Sequence, residues 1–295
     1  MEVTTQETAQ YCADWLCASD VDGTLQTGLL GYMPRVNRVA IERFRALGGK
    51  FTIASGRSPA SVGKVMTRLK LEDTPAVVLN GGGVYDCAKK QFLRFTPIPD
   101  AGVDWAMETL NYFPRIQFQM YLEQEIHIYN PGWHSMTVAK HGYTPFFAHK
   151  NFKDVPKEGW GKAIFFGHKK DVLALKQYCY SLVDAPVHFM ESSNYSFEIL
   201  APNTHKGTAL LQLAEILGID PKNTAAIGNY DNDTGMIQTA ALTASTRNAP
   251  RSFRAKAEHV VRRDRKGAVA EFLGIIERRA LEGRQEAVLS SEGSL

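Results

Sequence analysis

A change of rhythm constrains this chain more than any single motif. On both flanks short apolar runs alternate with stretches of helical apolar spacing, and the middle third switches to a period of two. The run 15–19 reads as a strand that delivers Asp20 at its C-terminal end. Val36, Val39, Ala40, Phe44 and Leu47 then recur at helical spacing, and Gly48-Gly49 supplies a left-handed stop before a second strand over 50–54. A helix over 60–69, with Val62, Val65, Met66 and Leu69 on one face, leads to a strand at 76–79 and a turn at Asn80-Gly81-Gly82-Gly83. Repeated β-α-β units of this kind predict a parallel sheet covered by helices.

In the middle third, Ile116, Phe118, Met120 and Leu122 alternate with polar residues, as do Ile126 and Ile128 beyond Glu123-Gln124-Glu125, which predicts an antiparallel hairpin. A strand over 162–166, a helix over 171–182 and short strands at 187–190 and 195–200 complete an α+β insertion. After Pro202 the β-α alternation resumes, with helices over 207–217, 234–241 and 267–276 and strands at 224–227, 242–245 and 259–261. The expected fold class is α/β: a doubly wound, mostly parallel Rossmann-like core from 15–85 and 196–277, with a cap domain inserted over 86–195. Residues 1–14 read as a loose leader and 278–295 as a frayed tail.

Composition removes several classes of function. A chain of 295 residues with 44% apolar and 22% charged residues is an ordinary soluble globular protein. A formal charge of +3 with no basic stripe among aromatics gives nucleic acid no footprint. No apolar run reaches the roughly 18 residues of a membrane helix, so neither nucleic acid nor membrane is an expected partner, and small anions remain. Cys12, Cys17, Cys87 and Cys179 lack C-x-x-C spacing, and with no signal peptide in view they read as free thiols in a reducing cytoplasm. Nothing in the pattern specifies an oligomeric state.

The chemistry gathers in four segments. In Ser19-Asp20-Val21-Asp22-Gly23-Thr24, two carboxylates at i and i+2 can divide nucleophilic and proton-transfer work on one phosphate: Asp20 attacks phosphorus, and Asp22 protonates the leaving oxygen and later takes a proton from water. Alone this would be ordinary turn punctuation, but it is followed by Thr52-Ile53-Ala54-Ser55-Gly56-Arg57, by His205-Lys206-Gly207 and by Ile227-Gly228-Asn229-Tyr230-Asp231-Asn232-Asp233. Each segment follows a predicted strand or begins a predicted helix, at the edge where open α/β sheets bind ligands. Ser55 and Gly56 offer a hydroxyl and a backbone N–H to phosphate oxygens beside a helix N-terminus, and Arg57 can add a bidentate contact. Lys206 enters a helix where a cation is misplaced unless an anion faces it.

In order and spacing the four segments resemble the haloacid dehalogenase-type phosphatases, specifically the Cof-like branch, subfamily IIB, with a C2-type cap. The resemblance runs from about residue 15 to 276 and takes in Asn80-Gly81, Ser192-Ser193, Phe197-Glu198-Ile199 and Asn248-Ala249-Pro250. It implies a Mg²⁺-dependent phosphohydrolase of a small phosphorylated metabolite (a sugar phosphate, nucleotide or phosphorylated cofactor) with an aspartyl-phosphate on Asp20. The implied metal set is Asp20, the Asp22 carbonyl, residue 229 and Asp233. Ser55, Gly56, Lys206 and Asn232 would hold phosphate, and Arg57, Asn80 and Gly81 substrate. One position departs from the family pattern, since Asn229 stands where an acid is usual. An uncharged amide oxygen implies weaker metal binding, with Asp231 as a candidate for compensation. Two rival readings share these residues: a phosphate-ligand sensor weakened by Asn229, and a phosphomutase that transfers to a second hydroxyl instead of water.

Outside these segments, His127, His134, His141 and His149 lie among Trp133, Tyr143, Phe146 and Phe147, where core packing is the commoner reading and an aromatic substrate slot the rarer. Their spacing gives no zinc site. The basic run Arg262-Arg263-Asp264-Arg265-Lys266 reads as a solvated loop near the site rim.

Overall fold

The computed structural model describes residues 10–28 and 31–292. The chain enters with β1 (Leu16–Ser19), α1 (Arg35–Ala46) and β2 (Lys50–Ile53). It continues through α2 (Pro59–Leu69), β3 (Ala76–Val78), β4 (Gly83–Asp86), β5 (Gln91–Phe95), α3 (Asp100–Tyr112), β6 (Gln117–Tyr121), β7 (Ile126–Tyr129), α4 (Trp133–His141), β8 (Phe146–His149), β9 (Lys162–Phe166), α5 (Lys169–Ser181), β10 (His188–Ser193) and β11 (Ser196–Leu200). Helix α6 (Lys206–Leu217) leads to β12 (Thr224–Gly228), α7 (Thr234–Thr239), β13 (Leu242–Thr246), α8 (Arg251–Arg254), β14 (His259–Val261) and α9 (Ala268–Glu292). Two compact units result, one formed by the chain through Ala54 together with the chain from Leu210, the other by 55–209.

In the first unit a five-stranded, wholly parallel sheet has the order β14-β13-β12-β1-β2. The chain leaves β1 toward β2 on one side and later builds β12, β13 and β14 on the other, so the winding reverses between β1 and β12. Such a switch point opens a crevice at the carboxyl ends of its two strands. All residues of β1, β12 and β13 are buried, as strands covered on both faces require. Helix α9 packs on β12, β13 and β14 and on α1, where Arg43 and Glu277 pair at 2.7 Å.

Three expectations change in this unit. On α1 Phe44 faces inward as expected, but it is joined there by Asn37 and Ile41, and Val36 and Val39 are exposed. Asn37 reverses the apolar logic because its amide has partners inside: Oδ1 accepts from Ala270 N at 3.0 Å and Nδ2 donates to Leu25 O at 3.4 Å. It thereby satisfies one of the N–H groups left open at the start of α9. Gly48, at φ +89°, makes the expected left-handed stop after α1. Second, the tail expected to fray from residue 278 continues as helix to Glu292, rich in the good helix formers Ala, Leu, Glu and Arg and with Ala280 buried. Third, the described part of the leader is tied down: Cys12 is buried, its N–H donates to Leu47 O at 2.9 Å, and Trp15 N donates to Cys12 O. The remainder of these two expectations, residues 1–9 and 293–295, lies outside the described residues.

The second unit carries a six-stranded sheet of order β10-β11-β9-β6-β7-β8, antiparallel except for β7 and β8, and a three-stranded antiparallel sheet β3-β4-β5. Its apolar core joins one face of the large sheet (Phe118, Met120, Ala163, Phe165, Phe197, Ile199) to α3 and α5. The opposite face presents buried polar side chains from the same strands, among them Gln119, Lys162 and Glu198. The division into the two compact units falls at 54/55 and, within α6, at 209/210. Strand β3, expected in the parallel sheet, instead bonds antiparallel to β4 inside this unit. Elements α3, α4, β4, β5 and β8 have no counterpart in the sequence reading.

Candidate active site

The first unit brings Asp20, Asp22 and Asn229 together at the switch point. Asp20 follows β1, with its N–H donating to Ile227 O on β12 at 3.0 Å and its carbonyl accepting from Ser19 Oγ at 2.8 Å. The turn then closes on itself as Gln26 N donates to Val21 O and Gly23 N to Gln26 O. Asn248 clamps it from β13's far end, donating to Gly23 O at 2.9 Å while accepting from Asp264 N at 2.9 Å. That bond ties the basic loop 262–266 to the acid turn, although Arg262, Arg263, Arg265 and Lys266 are themselves exposed. Asp20 is 6% exposed, whereas the Asp22 side chain is open to solvent.

Asn229 occupies the first loop position after β12, and its amide can face the acid turn in either of two orientations. With oxygen inward, Thr24 Oγ1 donates to Asn229 Oδ1 at 2.9 Å. With nitrogen inward, the amide donates to Thr24 Oγ1 at 2.9 Å, to Asp20 Oδ2 at 3.1 Å and to the Asp22 carbonyl at 3.0 Å. The spacing is informative in the first case. Neighbouring corners of a Mg²⁺ octahedron with bonds near 2.0–2.1 Å lie about 2.9–3.0 Å apart, and the inward amide atom of Asn229 lies 3.1 Å from Asp20 Oδ2 and 3.0 Å from the Asp22 carbonyl, so an amide oxygen there can share a hard oxygen set with each of them. The residues fit Mg²⁺ in the oxygen-inward orientation. In the other, the amide hydrogens take the place of the cation.

Asp233, the fourth expected ligand, is fully buried, and its Oδ2 accepts from Asn229 N at 2.8 Å and Tyr230 N at 3.2 Å. That oxygen fixes the loop that carries Asn229. Asn232 sits between Asp231 and Asp233 in one 3-10 turn. The Asp231 carboxylate is half exposed and lies 3.8 Å from Lys256 Nζ in a surface ion pair.

The second unit gathers the other predicted residues. Ser55 N donates to Val77 O at 3.0 Å, Asn80 N to Ser55 O at 3.0 Å and Leu79 N to Arg57 O at 3.1 Å, which folds the Ser55-Gly56-Arg57 turn against the end of β3. Ser55 Oγ accepts from Arg57 N at 3.3 Å. Asn80 takes a left-handed φ of 56° and donates through Nδ2 to Glu198 at 2.8 Å. Gly81 abuts the start of α6, where Lys206 is fully buried. That start is held by His205, whose Nδ1 accepts from Gly207 N at 3.1 Å and Thr208 N at 3.3 Å, and burial lowers the His205 pKa. The sequence reading did not single out Lys162, which is buried at 3% exposure and donates to Gly56 O at 2.8 Å. Its signal was a lysine heading the otherwise apolar run Lys-Ala-Ile-Phe-Phe.

Of the cap histidines, His127 and His149 stack at 5.0 Å and share a 2.8 Å Nδ1···Nε2 bond, with Glu125 on the far nitrogen of His127. Among the described residues no three His, Cys, Asp or Glu side chains form a metal cluster, and no helix is long and apolar enough to cross a membrane.

Comparison with known proteins decides the family. A family model for haloacid dehalogenase-like hydrolases matches residues 17–273. The chain belongs to the haloacid dehalogenase-like hydrolases. Similar proteins include the pyridoxal phosphate phosphatase YbhA of Escherichia coli, 25% identical over 87% of this chain and 96% of its own. Another is the 5-amino-6-(5-phospho-D-ribitylamino)uracil phosphatase YwtE of Bacillus subtilis, 28% identical over 87% and 96%. Among solved structures, a haloacid dehalogenase-like hydrolase from Bacteroides thetaiotaomicron superposes with a TM-score of 0.75 at 22% identity, covering 90% of this chain and 98% of that one. A sugar phosphatase of subclass IIB reaches 0.76 at 16% identity, covering 89% and 99%. At these identities the structural likeness establishes the shared fold.

Proposed function

We propose that this haloacid dehalogenase-like hydrolase is a Mg²⁺-dependent phosphatase that frees phosphate from a small phosphorylated metabolite through a phosphorylated Asp20. The observation that carries the reading is the convergence of Asp20 Oδ2, the Asp22 carbonyl and the Asn229 side chain within 3.0–3.1 Å at the switch point. These oxygens would hold Mg²⁺, with Asp233 fixing the loop behind them, and so bound it would supply charge neutralisation for the transferring phosphoryl group.

Asp20 attacks phosphorus, and the bond from phosphorus to the ester oxygen breaks. Asp22, on the solvent side of the turn, hands its proton to that oxygen. It then takes a proton from the water that opens the acyl phosphate, so inorganic phosphate leaves and Asp20 is restored. In this proposal Ser55, Gly56, Lys206 and Asn232 bind phosphate oxygens, and Arg57, Asn80 and Gly81 serve the substrate side. Relatives named as phosphatases of pyridoxal phosphate and of a ribitylaminouracil phosphate support a small-metabolite substrate. Four free cysteines suit a reducing, cytoplasmic setting.

One observation favours a second reading. With its nitrogen inward, Asn229 satisfies Asp20 and the Asp22 carbonyl without an ion, as a phosphate-binding sensor would tolerate. Phosphate release from pyridoxal phosphate, the ribitylaminouracil phosphate, sugar phosphates, nucleotides and an aryl phosphate, across a Mg²⁺ series, separates the two. Release that depends on Mg²⁺ and disappears in a folded Asp20→Asn variant is the expected result. Equal release by Asp20→Asn would refute the nucleophile, and binding without release would favour the sensor. Product analysis with an added sugar acceptor identifies transfer to a second hydroxyl, the mark of a phosphomutase.

A further inference from the structure

Lys162 and Glu198 form a buried ion pair that the hydrolase reading leaves without a task. They lie on the polar face of the six-stranded sheet, where Tyr121 pairs with Lys162 and Ile164 with Glu198, so lysine and glutamate are diagonal neighbours on adjacent strands. Lys162 Nζ sits 3.0 Å from Glu198 Oε2 and 4.8 Å from the centre of the Tyr121 ring. A pair 3% and 6% exposed is a poor device for stability alone, because its desolvation offsets most of its attraction and an apolar pair would do as well. Its neighbours indicate another role. Lys162 donates to Gly56 O at 2.8 Å, and Asn80, bonded to Ser55 O through its backbone, donates its amide to Glu198 at 2.8 Å.

The carbonyls of Ser55, Gly56 and Arg57 are therefore all held, by Asn80 N, Lys162 Nζ and Leu79 N in turn. In a trans peptide the N–H points opposite to the C=O of the same plane. Holding these carbonyls fixes the peptide planes that also carry the N–H groups of Gly56, Arg57 and Ser58, and oriented backbone N–H groups can bind an anion. Arg57 N donates to Ser55 Oγ at 3.3 Å, a long bond that an anion can replace. Of the three holders, Lys162 alone is a side chain, and it fixes the middle plane.

We infer that Lys162, anchored by Glu198, is a positioning residue that aims the amides of the Ser55-Gly56-Arg57 turn at phosphate. The inference rests on the proposed role of that turn. Lys162→Met removes the donor and leaves Glu198 buried without its cation. Lys162→Met with Glu198→Gln removes both charges while an amide oxygen still accepts from Asn80. The readouts are melting temperature and calorimetric affinity for inorganic phosphate at fixed Mg²⁺, beside aryl phosphate turnover. The single variant should lose stability and bind phosphate about ten-fold to a hundred-fold more weakly, as expected for loss of a charged donor. The double variant should recover most of the melting temperature but not the affinity. Recovery of both would reduce Lys162 to half of a structural ion pair and overturn the inference, as would wild-type affinity in the single variant. Unchanged affinity with intact turnover leaves the phosphatase reading standing. Wild-type protein that binds phosphate without hydrolysing esters sinks that reading and still lets the variants decide the role of Lys162.

Discussion

Asn229→Asp should lower the Mg²⁺ concentration at half saturation, and the size of the effect follows from the amide's two orientations. Without an ion, the nitrogen-inward amide makes three hydrogen bonds, to Thr24 Oγ1, Asp20 Oδ2 and the Asp22 carbonyl. Mg²⁺ requires the oxygen-inward orientation, which gives up the bond to the Asp20 carboxylate. A hydrogen bond to a charged group contributes about 1.5–3 kcal/mol, and each 1.4 kcal/mol is about ten-fold in affinity. Asp at this position has no such bond to lose and adds a charge, so half saturation should fall by about ten-fold to a hundred-fold. Stability should move in opposite directions with and without metal. In chelator, a third carboxyl group beside Asp20 and Asp22 destabilises the variant relative to wild type, and saturating Mg²⁺ then raises its melting temperature more. Titration calorimetry with Mg²⁺ reads the affinity, and thermal melts read the stability. An unchanged Mg²⁺ affinity together with equal melting shifts would refute the placement of Asn229 at the ion.

Gly81→Ala should destabilise by about 2 kcal/mol or more, because Gly81 lies at φ +105° and an added Cβ would fall 2.3 Å from His205 O, against backbone that cannot swing away; urea unfolding measures it, and a loss below half that value would contradict the packing. His205 must be unprotonated at Nδ1 to cap α6, and burial lowers its pKa in the folded state. The unfolded chain therefore takes up the proton first, so stability should be level above about pH 6.5 and decline as pH falls below it. His205→Asn, which caps without titrating, should flatten part of that slope in denaturant titrations at pH 7.5 and 5.5, and His188 and His149, lowered likewise by burial, should keep the rest. Phe44→Ala, at a fully buried ring in α1, should cost about 3–5 kcal/mol in the same assay.

The parallel framework was legible because β1, β2, β12, β13 and β14 are short runs of small or apolar residues between helical stretches, and three of the four chemical segments mark the ends of β1, β2 and β12. The face of α1 was not legible, since Asn37 turns inward for bonds to Leu25 and Ala270, the latter 233 positions away. The length of α9 was readable in principle from propensity: beyond Arg278 the polar residues weaken the apolar period, yet they are good helix formers. Within the site, Asp20 and Asn229 could be paired from motif order. The double use of the Asn229 amide could not, because it depends on three acceptors from one turn converging on one atom. Lys162 and Glu198 lie on adjacent strands in a register that no local pattern reveals.

The four thiols divide between the two units, and burial gives them a use beyond packing. Cys12 and Cys17 belong to the first unit, and Cys87 and Cys179 to the second. Burial pushes Cys12, Cys87 and Cys179 up to about 12 and Cys17 further; Cys87 is partly exposed, whereas Cys12, Cys17 and Cys179 are shielded from reagent until their surroundings open. Cys17 lies in the middle of the strand that presents Asp20, and Cys179 faces the core beneath the second unit's large sheet. The rate at which each reacts with a small disulfide reagent is therefore an internal clock for local unfolding. Without any engineered label, the protein carries the means to time the opening of its parallel sheet and of its second unit separately.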